Sequence, residues 1–303
     1  MTIETHALSE KDEAVMAQTR EALKGVKGTF TGPDKRPVFD HIMSGFAPSD
    51  GIEHEEGFVG GVPGIWVRPR PSRSTDRAIL YLHGGAYVIG SPRAYVNFVG
   101  QIVSRSGIPA FVADYALAPE RPFPAAIEDA IRAYTGLIEQ GVRHIALAGD
   151  SAGGGLALAL LSEVQSADPS PRLAVALSPW TDLALASPSM KSRDADDPIW
   201  SAAALAEMAR LYLGNVDPRN PRASPVYSDR VGLPPLLIHV GDAEILLDDT
   251  LRYAEGVKDI EVHVWEGMLH VFPANAGILD ASDEALEGIG QFIASNMLFN
   301  LRE

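Results

Sequence analysis

The 303-residue sequence contains no cysteine. Disulfides and thiolate catalysis are therefore both excluded. Basic residues are scarce as well, with 25 Lys and Arg against 40 Asp and Glu, a net charge of -15 to which the eight histidines add little at neutral pH. Nucleic acids and anionic membranes recruit proteins through clustered Lys and Arg, so neither suits this chain as a partner. No apolar run approaches the ~20 residues of a membrane span. The start, MTIETHALSEKDEAVMAQTREALKG, is acidic and lacks the basic n-region and apolar core of a signal peptide. A soluble, cytoplasmic protein is the expectation.

Apolar residues are plentiful at 46% of the chain, ample for a large core. The length allows two domains, but open α/β proteins of this size often form one domain with insertions. Residues 10 to 24 read as a polar helix with a weak apolar stripe, and residues 25 to 55, rich in Gly, Pro and charge, as a linker or loose cover. From GIWVRP onward the pattern changes. AILYLH (78–83), IPAFVADY (108–115), HIALAG (144–149), LAVALS (173–178), LLIHVG (236–241) and IEVHVWEG (260–267) are short, nearly continuous apolar runs. Strands buried on both faces of a sheet have this character. Helix-sized segments fall between them at 92–106, 124–140, 152–166, 201–213, 247–257 and 281–297. Alternating strands and helices imply right-handed crossovers and a mostly parallel sheet flanked by helices. The rhythm breaks once, where 57 residues separate Ser178 from Leu236. That insertion, at about 180–230, is long enough to cover a site.

Reactive groups of an open parallel sheet gather beyond the carboxyl ends of its strands. Those ends carry His83-Gly84-Gly85-Ala86-Tyr87, Gly149-Asp150-Ser151-Ala152-Gly153, Gly241-Asp242-Ala243-Glu244 and Leu269-His270. Serine, acid and histidine thus follow one another in chain order. A serine hydroxyl needs an adjacent base, histidine is suited to that task at neutral pH, and a carboxylate must hold the ring in one tautomer. Ser151 sits in a strand-to-helix corner where Gly149 and Gly153 let the backbone pass closely, as in a nucleophile elbow. The N–H groups of Gly85, Ala86 and Ala152 offer three donors for a developing oxyanion. Asp242, Glu244, Asp248 and Asp249 all precede or open a helix, where acids are favoured by the dipole alone, and Asp182 stands after the preceding strand. Any of them could serve as the orienting acid. His83 reads as a structural residue of its loop. His263 alternates within a strand, and His6, His41 and His54 lie in polar surroundings.

YLHGGAYVIGSP, DYALAPERPFPAAIEDA, GDSAGGGLALAL with LSPWTDL, and GDAEILLDD with WEGMLHVFP resemble the bacterial hormone-sensitive-lipase family of α/β-hydrolase esterases, family IV. The resemblance runs from about residue 78 to His270. It implies an eight-stranded, mostly parallel sheet with a helical cap built from an N-terminal segment, residues 1–50, and the insertion, set on a catalytic domain of residues 51–303. It puts the nucleophile on Ser151, the base on His270 and the oxyanion loop on Gly84, Gly85 and Ala86, with alanine replacing the third glycine of the usual HGGG. Family members carry Asp-Pro-Leu-Arg-Asp where this chain has Glu244-Ile245-Leu246-Leu247-Asp248, so counting from Asp248 and from the strand favours Glu244, with Asp242 the alternative acid. The implied activity is hydrolysis of small hydrophobic esters, short to medium in chain length, with no metal or organic cofactor and with a homodimer paired through an edge strand among the family's habits. A lactonase, amidase or acyltransferase would use the same groups. Plant gibberellin receptors resemble this family without the histidine, which is present here as His270.

Overall fold

The computed structural model describes residues 1–71 and 76–298. It contains β1 (Thr2–His6), α1 (Glu10–Ala22), α2 (Arg36–Ser44), β2 (Ile52–Val59), β3 (Val62–Pro69), β4 (Arg77–Leu82), α3 (Pro92–Ser106), β5 (Ala110–Ala113), α4 (Ala125–Glu139), β6 (His144–Asp150), α5 (Ser151–Val164), β7 (Leu173–Leu177), α6 (Ser189–Ser192), α7 (Ala202–Leu213), β8 (Leu236–Gly241), α8 (Leu247–Ala254), β9 (Ile260–Trp265) and α9 (Asp280–Leu298).

All the strands join one sheet, in the order β1-β9-β8-β7-β6-β4-β5-β3-β2. Only β3 runs against its neighbours, pairing antiparallel with both β2 and β5. The sheet has one strand more than the expected eight, because β1 pairs in parallel with β9 along Thr2↔Glu261 to His6↔Trp265. Part of the N-terminal segment expected as cover is therefore sheet. The strand was missed because, at the edge, its residues are mostly exposed and show no apolar run. The stretch read as a loose linker is also structured: it holds α2, whose Met43 is buried, and the start of β2.

Local chemistry explains the helix ends. Ser91 accepts from the Ala94 amide ahead of Pro92, and α3 stops at Gly107 in the left-handed conformation. Ser9 and Ser201 cap α1 and α7 in the same way, contacts worth about 1 kcal/mol each. Two cores lie on the sheet's two faces. One packs α4, α5 and α7 against the sheet; the other packs α3 and α9. Helix α5 is apolar all round as far as Leu161 because it is buried all round to that point. Leu156, Leu158, Leu160 and Leu161 are each at most 1% exposed, and burying each stabilises the fold by about 2 kcal/mol. A helix so buried keeps the corner at its N-terminus fixed.

Candidate active site

Ser151 opens α5 at the carboxyl end of β6, with φ at +53°. The corner is tight. A Cβ on Gly149 would stand 2.4 Å from the Gly153 carbonyl oxygen, and one on Gly153 would stand 2.0 Å from that of Leu82, so neither position tolerates a side chain. Of the six non-glycine residues with positive φ among those described, Ala86, Tyr87, Ser151, Ser178 and Val271 lie at adjoining strand ends. Each such residue costs on the order of 1–3 kcal/mol, and backbone strain of this kind collects at functional sites.

The Ser151 hydroxyl oxygen is 2.9 Å from His270 Nε2, and His270 Nδ1 is 2.5 Å from Glu244 Oε2. Because a carboxylate can only accept, the ring carries its proton on Nδ1 and presents the Nε2 lone pair to the serine. Glu244 Oε1 accepts in turn from the Ser178 hydroxyl at 2.7 Å and the Gly241 amide at 2.8 Å. Burial works against a charged imidazole here, but the Glu244 carboxylate, aided by Asp197 and Asp150, outweighs it and raises the pKa of His270 above its usual 6.5.

The other acids are placed elsewhere. Asp242 accepts from the Gly267 amide at 2.7 Å and so pins the turn leading to His270. Asp182 is paired with Arg252 at 2.6 Å and accepts from Tyr227. Asp249 receives the amides of Thr181 and Asp182, and burial lifts its pKa to about 7. Asp248 lies in the first turn of α8.

In the loop after β4 the Gly84 amide donates to Asp150 Oδ1 at 3.0 Å, so its N–H is committed and is not free to serve an oxyanion. A Cβ on Gly84 would meet Asp150 Oδ2 at 2.2 Å, which explains the glycine. Gly85, with φ at +115°, and Ala86 carry the loop onward, while Ala152 lies in the first turn of α5, where amides lack an intrahelical acceptor. His83 is buried against Tyr115, its Nδ1 donates to the Gly84 carbonyl, and burial drops its pKa to about 4. It is a neutral support for the loop.

Three contributors were not singled out from the sequence. Asp150 is buried and accepts from Tyr81, Tyr95 and Gly84; burial raises its pKa to about 6 against the pull of those bonds. Ser178 ties Glu244 to the His270 loop, since its oxygen also accepts from the Val271 amide at 3.0 Å. Asp197 accepts from the amides of Ile199, Trp200 and Ile245, which sets the Trp200 ring edge-on to His270, 6.1 Å between centroids. Ser178 stands directly after a strand, so the rule that found Ser151 could have found it too.

Residues 79–274 match the family described as alpha/beta hydrolase fold. An acetyl-hydrolase of Streptomyces hygroscopicus is 40% identical over 242 residues, covering 78% of this chain and 80% of that protein. An esterase of Acinetobacter venetianus is 34% identical, with 86% and 88% covered, and an ethyl acetate hydrolase of Pseudomonas putida is 31% identical, with 69% and 70% covered. Among solved structures, an esterase from the bacterial hormone-sensitive lipase family superposes with a TM-score of 0.86 at 38% identity, covering 96% of this chain and all of that one.

Proposed function

The chain belongs to the α/β-hydrolase family, in its bacterial hormone-sensitive-lipase branch, and is a carboxylesterase; from that premise we propose that it cleaves small, hydrophobic, short- to medium-chain esters through an acyl-enzyme on Ser151. His270 Nε2 takes the hydroxyl proton as Ser151 Oγ bonds to the acyl carbon. Glu244 holds the ring and stabilises the imidazolium that results. The amides of Gly85, Ala86 and Ala152 receive the negative oxygen of the tetrahedral intermediate, each donor worth about 3 kcal/mol there. As the C–O bond breaks, His270 returns the proton to the leaving alcohol. Water then repeats the sequence on the acyl-enzyme, giving the acid and restoring Ser151.

The unbroken run of contacts from Ser151 through His270 to Glu244 carries this reading. A hydrophobic substrate is favoured by Trp200, whose ring stands edge-on to His270. Two relatives, an acetyl-hydrolase and an ethyl acetate hydrolase, favour short acyl groups. The test is hydrolysis of p-nitrophenyl esters of increasing chain length by the wild type and by Ser151→Ala. Rates are expected to peak at short to medium chains and to collapse in the variant, on the order of 10⁶-fold as when other hydrolases lose this serine. A variant within a few-fold of wild type would overturn the mechanism.

A further inference from the structure

At the far side of the sheet, where β1 is added to β9, three imidazoles lie in a row. His6 and His263 stack at 5.0 Å between centroids, and His263 and His239 at 4.8 Å. The strand register aligns them on one face, since Glu4 stands opposite His263 and His263 opposite His239. They line a groove of about 790 Å³ between the sheet and α9, whose lining includes none of Ser151, Glu244 and His270. The inner member is spoken for: the Trp265 indole donates to His239 Nδ1, so its proton is on Nε2 and it has no lone pair to give.

The outer two differ. His6 Nε2 and His263 Nδ1 are 2.7 Å apart and share a single hydrogen bond, one donating to the other. Glu4 Oε2 is 3.9 Å from the same His263 nitrogen, and on the opposite side of the His6 ring Nδ1 is 3.6 Å from Glu284 Oε1 on α9. One ligand atom from each of Glu4, His6 and His263 lies within 4.8 Å of the others. We propose that these three side chains form a site for a borderline transition-metal dication of the zinc class, which clasps β1 to β9.

Two imidazoles and a carboxylate are a donor set that such ions prefer and that Mg²⁺ does not. Two nitrogens bound tetrahedrally to one ion at about 2.05 Å are about 3.3 Å apart, so the rings need to part by about 0.6 Å as the ion replaces the shared proton. Glu4, largely exposed on an edge strand, can swing to close the third position. The displaced proton stays on its own ring: from His6 Nε2 it moves to His6 Nδ1, or from His263 Nδ1 to His263 Nε2, and in either case His6 Nδ1–H then donates to Glu284; a carboxylate behind a ligating histidine fixes its tautomer and strengthens the bond. The clasp would hold the N-terminal strand, which runs directly into α1.

The experiment is calorimetric titration of the untagged full-length chain with Zn²⁺, with thermal unfolding and the visible spectrum of the Co²⁺ form as companions. Expected are a bound ion whose affinity drops about tenfold or more in Glu4→Gln, His6→Asn and Glu284→Gln, a rise in Tm reversed by chelator, no rise with Mg²⁺, and a tetrahedral cobalt spectrum lost in His6→Asn. Because Glu4 is exposed, Glu4→Gln reports even if a histidine variant folds poorly. Failure to bind at free zinc up to about 100 µM, or binding unaltered in Glu4→Gln and His6→Asn, would overturn the site.

Discussion

Glu244 and Asp242 are two residues apart and chemically alike, yet only Glu244 reaches His270. Glu244→Gln removes the acceptor that holds the proton on Nδ1, and kcat is expected to fall about 10⁴-fold, as when a triad carboxylate becomes an amide elsewhere. Asp242→Asn should leave kcat within a few-fold and cost about 1 kcal/mol, the worth of its bond to Gly267, checked by steady-state kinetics beside chemical denaturation. Asp197 predicts a pH effect. His270 must be neutral to accept the serine proton, so activity is lost as pH falls through its raised pKa, and the Asp197 charge is among the causes of that rise. Asp197→Asn should therefore move the acid limb of kcat/KM to lower pH; an unmoved limb would show that Asp197 acts on Trp200 alone. The meeting of Ser151, Glu244 and His270 was legible because each follows the end of a strand. Asp197 was not: it acts from inside the long insertion through backbone amides, which no spacing rule reveals.

At the scale of elements, helix α5 fixes the site because the corner before it admits no side chains. Gly153→Ala would drive a methyl into the Leu82 and His83 carbonyls, and a loss of about 3 kcal/mol or more, or failure to fold, is expected in thermal unfolding. Gly288, exposed within α9 with nothing near its missing Cβ, is the contrast: Gly288→Ala should stabilise by about 0.5–1 kcal/mol. The internal strands were readable because burial on both faces makes them continuous apolar runs. β1 and the start of β2 were not, since edge strands keep polar, exposed residues that look like loop. α2 was hidden by its flanking Gly and Pro, and owes its place to Met43 and to Arg36, which donates to the Val88 and Ala118 carbonyls.

Across the whole molecule the N-terminal segment ties distant parts together. β1 extends the sheet, α1 sets Met16 among Met268 and Leu269 beside the His270 loop, and the Gly28 amide reaches the Ile199 carbonyl next to Trp200. Asp12 of α1 accepts from the amides of Asp280 and Ala281, capping α9 from outside that helix. Asp12→Ala should cost about 1–2 kcal/mol, as cap removals do, with kcat little altered; differential scanning calorimetry checks it. Cover, sheet and the His270 loop thus share one scaffold, on which Ser151, His270 and Glu244 are joined by hydrogen bonds, the unit of the proposed mechanism. Labelling with an organophosphonate ester, read by intact mass and peptide mapping, tests that unit most directly. One adduct per chain on the Ser151 peptide is expected, with activity lost in step, no adduct in Ser151→Ala and slow labelling in Glu244→Gln. Full labelling with activity retained, or inactivation by an adduct on another residue, would contradict it.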